Sequence, residues 1–175
     1  MYLKFIFRGI KFEWIRYAIR GMYRLELQVT PEAAQFYPAL GTVENYNNDN
    51  AGYDLKIVAE LCPTKSAKLV PLGVKARLTS LVTGLDCHFS LEPRSSIYKT
   101  GFIMANSRGI IDRSYRGELK APVVSVGDND ICVEAGTRLF QIIAPDMGHI
   151  KQVRYVADLP ATLRGEGGFG STGAK

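Results

Sequence analysis

The segment Leu25-Glu26-Leu27-Gln28-Val29 alternates apolar and polar side chains with a period of two. That is the period of a strand with one face on a core and the other in water. Similar short runs recur along the chain at residues 54–58, 74–78, 88–91, 102–104, 118–119, 131–133 and 139–143. Gly, Pro, Asn and Asp separate them, as in Asn47-Asn48-Asp49-Asn50, Gly127-Asp128-Asn129 and Pro145. Such residues favour turns over continued strands. Helical periodicity is scarce, so at most one short helix is expected, over residues 30–37 or 77–85. Many short strands with this punctuation predict an all-β barrel or jelly roll. A length of 175 residues suits one domain.

The net charge of +5 is localised. Lys4, Arg8, Lys11, Arg16, Arg20 and Arg24, against Glu13 alone, account for all of it. The rest of the chain is balanced and lacks the field that holds a phosphate backbone, so no stable nucleic-acid binding is expected. No apolar run is long enough to span a bilayer. Residues 1–22 mix aromatics with evenly placed basic residues. An amphipathic targeting or membrane-surface helix is one reading. An upstream start, with Met22 opening the working protein, is the other. The expected divisions are an N-terminal extension (1–22), a β domain (23–160) and a glycine-rich flexible tail (161–175). Cys62, Cys87 and Cys132 are an odd, sparse set, which predicts three buried or half-buried thiols in a reducing, intracellular setting, cytoplasm or nucleus. Cys87-His88 has no second pair at ligand spacing, so no zinc site is expected.

Five segments carry residue types suited to chemistry. The tail Arg164-Gly165-Glu166-Gly167-Gly168-Phe169-Gly170-Ser171-Thr172-Gly173 combines backbone donors, hydroxyls and an arginine, a set suited to polyphosphate. It is not a Walker loop, because Gly-Lys-Ser/Thr is missing and too few residues follow to form a helix. Pro93-Arg94-Ser95-Ser96 is a second phosphate-friendly cluster, and a surface turn explains it equally well. In Gly109-Ile110-Ile111-Asp112-Arg113-Ser114-Tyr115-Arg116-Gly117-Glu118, Asp112 follows two apolar residues. A carboxylate held at the edge of a core suits a general base, while a turn aspartate is the plainer reading of that segment alone. Gly136-Thr137-Arg138-Leu139-Phe140-Gln141 brings polar Arg138 and Gln141 into an apolar strand, and Ala51-Gly52-Tyr53-Asp54-Leu55 puts Asp54 at a strand start.

AGYDL, PRSS, GIIDRSYRGEL, GTRLFQ and RGEGGFGSTG, in that order, resemble the five motifs of the homotrimeric dUTPase family. The likeness runs over residues 25–173. It implies a jelly-roll (β-clip) subunit, three of which form a ring whose active sites each draw on all three chains. It implies hydrolysis of dUTP to dUMP and pyrophosphate, limiting uracil in DNA and supplying dUMP. Asp112 matches the general base that activates water against the α-phosphorus. Tyr115 matches the ring packed under the deoxyribose. Residues 102–109 and the strand that follows, with Asn106, Gly109 and Ile111, match the hairpin that reads uracil. Arg94, Ser95, Ser96 and Gln141 match phosphate contacts. Arg164, Gly170, Ser171 and Thr172 match γ-phosphate and lid contacts, and Phe169 the aromatic stacked on the base. Asp54 and Arg138 match supporting residues, Arg138 as an ion-pair partner. The resemblance also implies Mg²⁺ held through the triphosphate and water, with no direct protein ligand.

Ser96, Ile97-Tyr98, Ser114, Thr137 and Phe140 depart from the commoner residues at those places. Two rivals on the same fold are a dCTP deaminase relative and a nucleotide-gated regulatory protein.

Overall fold

In a computed structural model, the structure describes residues 21–46, 49–127 and 130–168. The strands are β1 (Met22–Val29), β2 (Val43–Asn45), β3 (Gly52–Lys56), β4 (Lys68–Pro71), β5 (Val74–Ser80) and β6 (Asp86–Cys87), then β7 (Phe89–Pro93), β8 (Phe102–Met104), β9 (Gly109–Ile111), β10 (Lys120–Ser125), β11 (Arg138–Ile143) and β12 (His149–Tyr155). Among the described residues they form three sheets, ordered β2-β12-β1-β5-β6, β4-β10-β8 and β3-β11-β7-β9. The all-β expectation holds. Residues 1–20 and 169–175 lie outside the described residues, and with them most of the N-terminal extension and the end of the tail.

Period-two alternation explains β1. Tyr23, Leu25 and Leu27 are buried, and Leu25 lies opposite Leu78 of β5 on one side and Val153 of β12 on the other. β1 runs antiparallel to β5 and parallel to β12, which ties the start of the fold to its end. Glu26 is the buried exception. Its carboxylate accepts a 2.9 Å hydrogen bond from Arg77 Nη1, the partner a buried charge requires. Fully buried Leu55, Ile57, Leu91, Phe102, Leu119, Phe140 and Ile142 continue the core into the other two sheets.

Several expectations need correction. Among the described residues the helical content is two short 3-10 helices, Pro31–Phe36 and Ser95–Thr100, where one helix at most was expected. The first opens on Pro31, whose fixed φ suits a helix start. Residues 77–80 belong to β5, so the alternative helix at 77–85 does not form. Residues 118–119 precede a strand: β10 begins at Lys120 and contains Pro122. A proline reads against a central strand. Here its carbonyl accepts from Ala105 N at 2.8 Å, and β8 pairs only from Val123 onward, so the missing donor falls where the ladder has ended. Residues 131–133 contribute only an isolated bridge, Leu61↔Val133. β12 was not foreseen because a bulge between Tyr23 and Arg24 in its pairing with β1 breaks its alternation.

The cysteine expectation is also overturned. Cys62 and Cys132 form a disulfide, leaving Cys87 as the free thiol, half-buried. The partners are 70 residues apart in sequence, so no local spacing could reveal the pairing. No helix among the described residues is long and apolar enough to cross a membrane.

Candidate active site

β9 ends at Ile111, and the chain turns at once: Tyr115 N donates to Asp112 O at 2.9 Å. Asp112 therefore stands at the mouth of a closed turn. Ile110 is 68% exposed, so the loop's hydrogen bonds, more than a flanking apolar core, hold the carboxylate. Arg116 supplies most of them. It is buried, and its Nη1 donates to Arg113 O at 2.7 Å and to Tyr115 O at 2.9 Å, its Nε to Pro160 O at 2.9 Å. Its Nη2 donates to Asp86 Oδ2 at 2.9 Å, while Arg77 Nε holds the other Asp86 oxygen at 2.9 Å. Burial alone pushes the Asp86 carboxyl up, but the hydrogen bonds and charges of Arg77 and Arg116 outweigh it and hold it below the ordinary value. Asp86 so remains the anion that this pair of arginines needs.

Among the described residues, two groups face Asp112. Arg164 Nη1 donates to its Oδ2, and His88 Nδ1 lies 3.4 Å from its Oδ1. Arg113 N donates to the same His88 nitrogen at 3.3 Å. Antiparallel pairing of Phe89 with Ile111 explains the neighbour: one step further along, His88 falls opposite Asp112.

Tyr115 is buried, and its hydroxyl donates to Glu118 O at 3.0 Å. Burial first, then the Glu166 and Glu118 carboxylates, raise the phenol above its ordinary value against the opposing Arg164, so it stays a neutral donor. The Arg164 guanidinium carbon lies 5.9 Å from the ring centroid. Backbone crowds the ring at its hydroxyl end. A Cβ on Gly117 would strike the Tyr115 hydroxyl, and one on Gly168 would come within 3.0 Å of Cε2. Glycine at both places lets the loop and the tail close on the ring.

The tail's first part folds on this loop. Arg116 N donates to Gly165 O at 2.8 Å, Thr162 Oγ1 to Ser114 O, and Arg164 Nε to Gly167 O at 2.9 Å. Phe169, Gly170, Ser171 and Thr172 lie outside the described residues.

The segment 102–109 is split between sheets. β8 is the edge of β4-β10-β8, and β9 is the edge of β3-β11-β7-β9. Both are edge strands, and β9, with Asn106 from the turn that joins it to β8, lines a cavity of about 180 Å³ together with Tyr115, Lys120 and Arg164. Free backbone donors and acceptors along an edge can pair with a planar polar ligand as a neighbouring strand would. A neighbouring cavity of about 360 Å³ shares Tyr115, Lys120 and Gly168 and adds Lys75 and Glu166, which form an ion pair.

A second group lies on the β3-β11-β7 face. Asp54 of β3, Gln141 of β11 and Glu92 of β7 stand in one row across the sheet. Asp54 thus sits inside a strand, where a strand start was expected. Arg94 Nε lies 2.8 Å from Asp54 Oδ1, and Arg138 Nη1 3.3 Å from Asp54 Oδ2. Arg94 Nη1 also donates to Arg138 O at 3.1 Å, and Gln141 Nε2 to Pro93 O at 3.3 Å. Ser95 and Ser96 open the second 3-10 helix, Ser95 exposed and Ser96 half-buried. Within one chain, no hydrogen bond or ion pair among the described residues joins this group to Asp112, Tyr115 and Arg164.

Sequence reasoning missed Asp86, His88, Arg116 and Lys120. Arg116 lay within a quoted motif and carried a signal. The others come into place only through strand register.

Fold and site define a small all-β protein in which Arg164 and a partly exposed carboxylate, Asp112, stand beside a cavity at a free strand edge. The family model described as dUTPase matches residues 42–173. The deoxyuridine 5'-triphosphate nucleotidohydrolase of Rickettsia prowazekii (strain Madrid E) is 34% identical over 139 residues, covering 77% of this chain and 90% of that protein. The protein of the same name from Wolinella succinogenes is 35% identical over 126 residues, covering 70% and 80%. The crystal structure of dUTPase from Streptococcus mutans aligns with a TM-score of 0.50 and 24% identity, over 77% of this chain and 99% of that one, a likeness of fold. The chain belongs to the dUTPase family.

Proposed function

We propose that this protein hydrolyses dUTP to dUMP and pyrophosphate, with Asp112 as general base. The observation that carries the reading is the Asp112 carboxylate, fixed on a turn braced by buried Arg116 and paired with Arg164 of the tail. Asp112 takes a proton from water as the oxygen attacks the α-phosphorus, and pyrophosphate leaves. Arg164 neutralises the carboxylate at rest. A triphosphate competes for that guanidinium, and its transfer to the phosphates frees Asp112 to act as a base. The free edges of β8 and β9 read the uracil ring, and Tyr115 packs under the deoxyribose where a 2′-hydroxyl has no room.

Arg94, Ser95, Ser96 and Gln141 bind the phosphate chain. Arginine, hydroxyls and an amide donate to phosphate oxygens and are poor ligands for a cation, which suits Mg²⁺ carried in by the triphosphate and its waters. Neutralising the triphosphate is what that ion contributes. The separation of the phosphate group from the Asp112 group within one chain favours a site assembled from neighbouring subunits of a trimer, with the tail, including Phe169, Gly170, Ser171 and Thr172, closing over a neighbour's nucleotide as a lid.

Turnover with dUTP, dCTP, dTTP and UTP at equal concentration tests the assignment. Pyrophosphate release is expected from dUTP, with the other three far slower. Ammonia from dCTP would instead assign a deaminase, and equal hydrolysis of UTP would remove the role given to Tyr115.

A further inference from the structure

The Cys62–Cys132 pair is not among the residues assigned to dUTP. Leu61 and Val133 exchange two backbone hydrogen bonds of 2.9 Å, the hydrogen-bonded pair of a minimal antiparallel bridge. Their side chains are buried. Successive side chains alternate across a strand, so Cys62 and Cys132 fall on the other side, half-buried and exposed. They also fall in the non-hydrogen-bonded position, where Cα atoms approach to about 4.5 Å. Here they are 4.2 Å apart. The backbone ladder therefore brings the two sulfurs together whether or not they are bonded. Glu60, two residues before Cys62, returns to the same side, and its Oε2 lies 3.6 Å from Cys62 Sγ. One donor atom from each of Glu60, Cys62 and Cys132 lies within 4.8 Å of the others.

We propose that Glu60, Cys62 and Cys132 form a redox-gated site for a thiophilic divalent cation of the Zn²⁺ class. Reduced, the site offers two thiolates and a carboxylate, three ligands of a tetrahedral set that water completes. Sulfur donors favour Zn²⁺ and reject Mg²⁺, which separates this site from the nucleotide's own cation. Oxidised, the same sulfurs bond to each other and the site is closed. Oxidation proceeds by exchange with a low-molecular-weight disulfide. One chain thiolate attacks that disulfide and expels a thiolate. The second chain thiolate then attacks the mixed disulfide and expels the other, so two electrons pass from the chain to two small thiols. Cation binding and disulfide formation exclude each other. Either one ties the loop around Leu61 to the loop that leads into β11.

The test uses the full chain, reduced with a phosphine, freed of metal and alkylated, with modified cysteines located by mass spectrometry. One equivalent of Zn²⁺ is expected to protect Cys62 and Cys132 while Cys87 still reacts. Treatment with a small disulfide is expected to join Cys62 to Cys132 in one disulfide-linked peptide pair and to abolish the thiolate-to-metal ultraviolet band that Cd²⁺ gives with the reduced chain. Glu60→Gln is expected to weaken Zn²⁺ binding by at least about 10-fold, with disulfide formation unchanged. Equal alkylation of all three cysteines in the presence of Zn²⁺, or protection that survives Cys62→Ser, overturns the proposal. The wild-type measurement needs no variant, so it stands even if Cys62→Ser folds poorly.

Discussion

Asp112→Asn is expected to lower dUTP turnover by about 10²–10⁴ while the assembly stays intact. The amide keeps the size and hydrogen-bonding shape of the carboxylate but cannot take a proton from water. The turn that carries it is held by Tyr115 N and by Arg116, contacts that the substitution leaves alone. The Arg164 pair is weakened, yet side-chain exposures of 32% and 41% limit what that pair contributes to folding. The loss should therefore fall on kcat, with nucleotide binding retained. Steady-state kinetics beside analytical ultracentrifugation checks both. Normal turnover by the variant removes Asp112 from the role of base.

Deleting residues 164–175 is expected to cut turnover by at least about 10², the scale of losing one preorganised donor to a developing charge. The tail supplies Arg164, and the proposed lid follows it. Thermal unfolding should change little. The described contacts that are lost are few: the hydrogen bonds of Gly165 to Arg116 N and Thr162 Oγ1, the packing of Arg164 and Gly168 against Tyr115, and the Arg164–Asp112 and Lys75–Glu166 ion pairs, both of them partly exposed. Pro160, which receives Arg116 Nε, remains. A collapse of the assembly after this deletion would make the tail a structural clasp instead.

Local pattern carried much of the fold. β1 and β5 could be located because apolar and polar residues alternate along them, and β8 and β11 because they are short, mainly apolar runs bounded by turn residues. β10 was obscured by Pro122 and β12 by a bulge, both features whose meaning depends on what the neighbouring strand does. β6 is only two residues long and β9 three, too short to hold a period. The same division runs through the site. Asp112, Tyr115 and Arg164 stand in motifs that can be read along the chain. His88 beside Asp112, Asp86 beneath Arg116, and Cys132 beside Cys62 are products of register between segments far apart in sequence. Sequence periodicity shows which face a residue takes but not which residue stands opposite.

Ser114 and Tyr98, two departures from the commoner motif residues, have modest local consequences. Ser114 offers its carbonyl to Thr162 and helps dock the tail. Tyr98 is 74% exposed on the second 3-10 helix. Phe140, a third, is fully buried between Leu55 and Pro93, where its ring fills the core.

Hydrolysis of dUTP in water enriched in heavy oxygen locates the attacked phosphorus directly. If Asp112 aims water at the α-phosphorus, the label enters dUMP and the released pyrophosphate carries none. Label in the pyrophosphate would put the attack on the β-phosphorus and contradict the geometry assigned to this site.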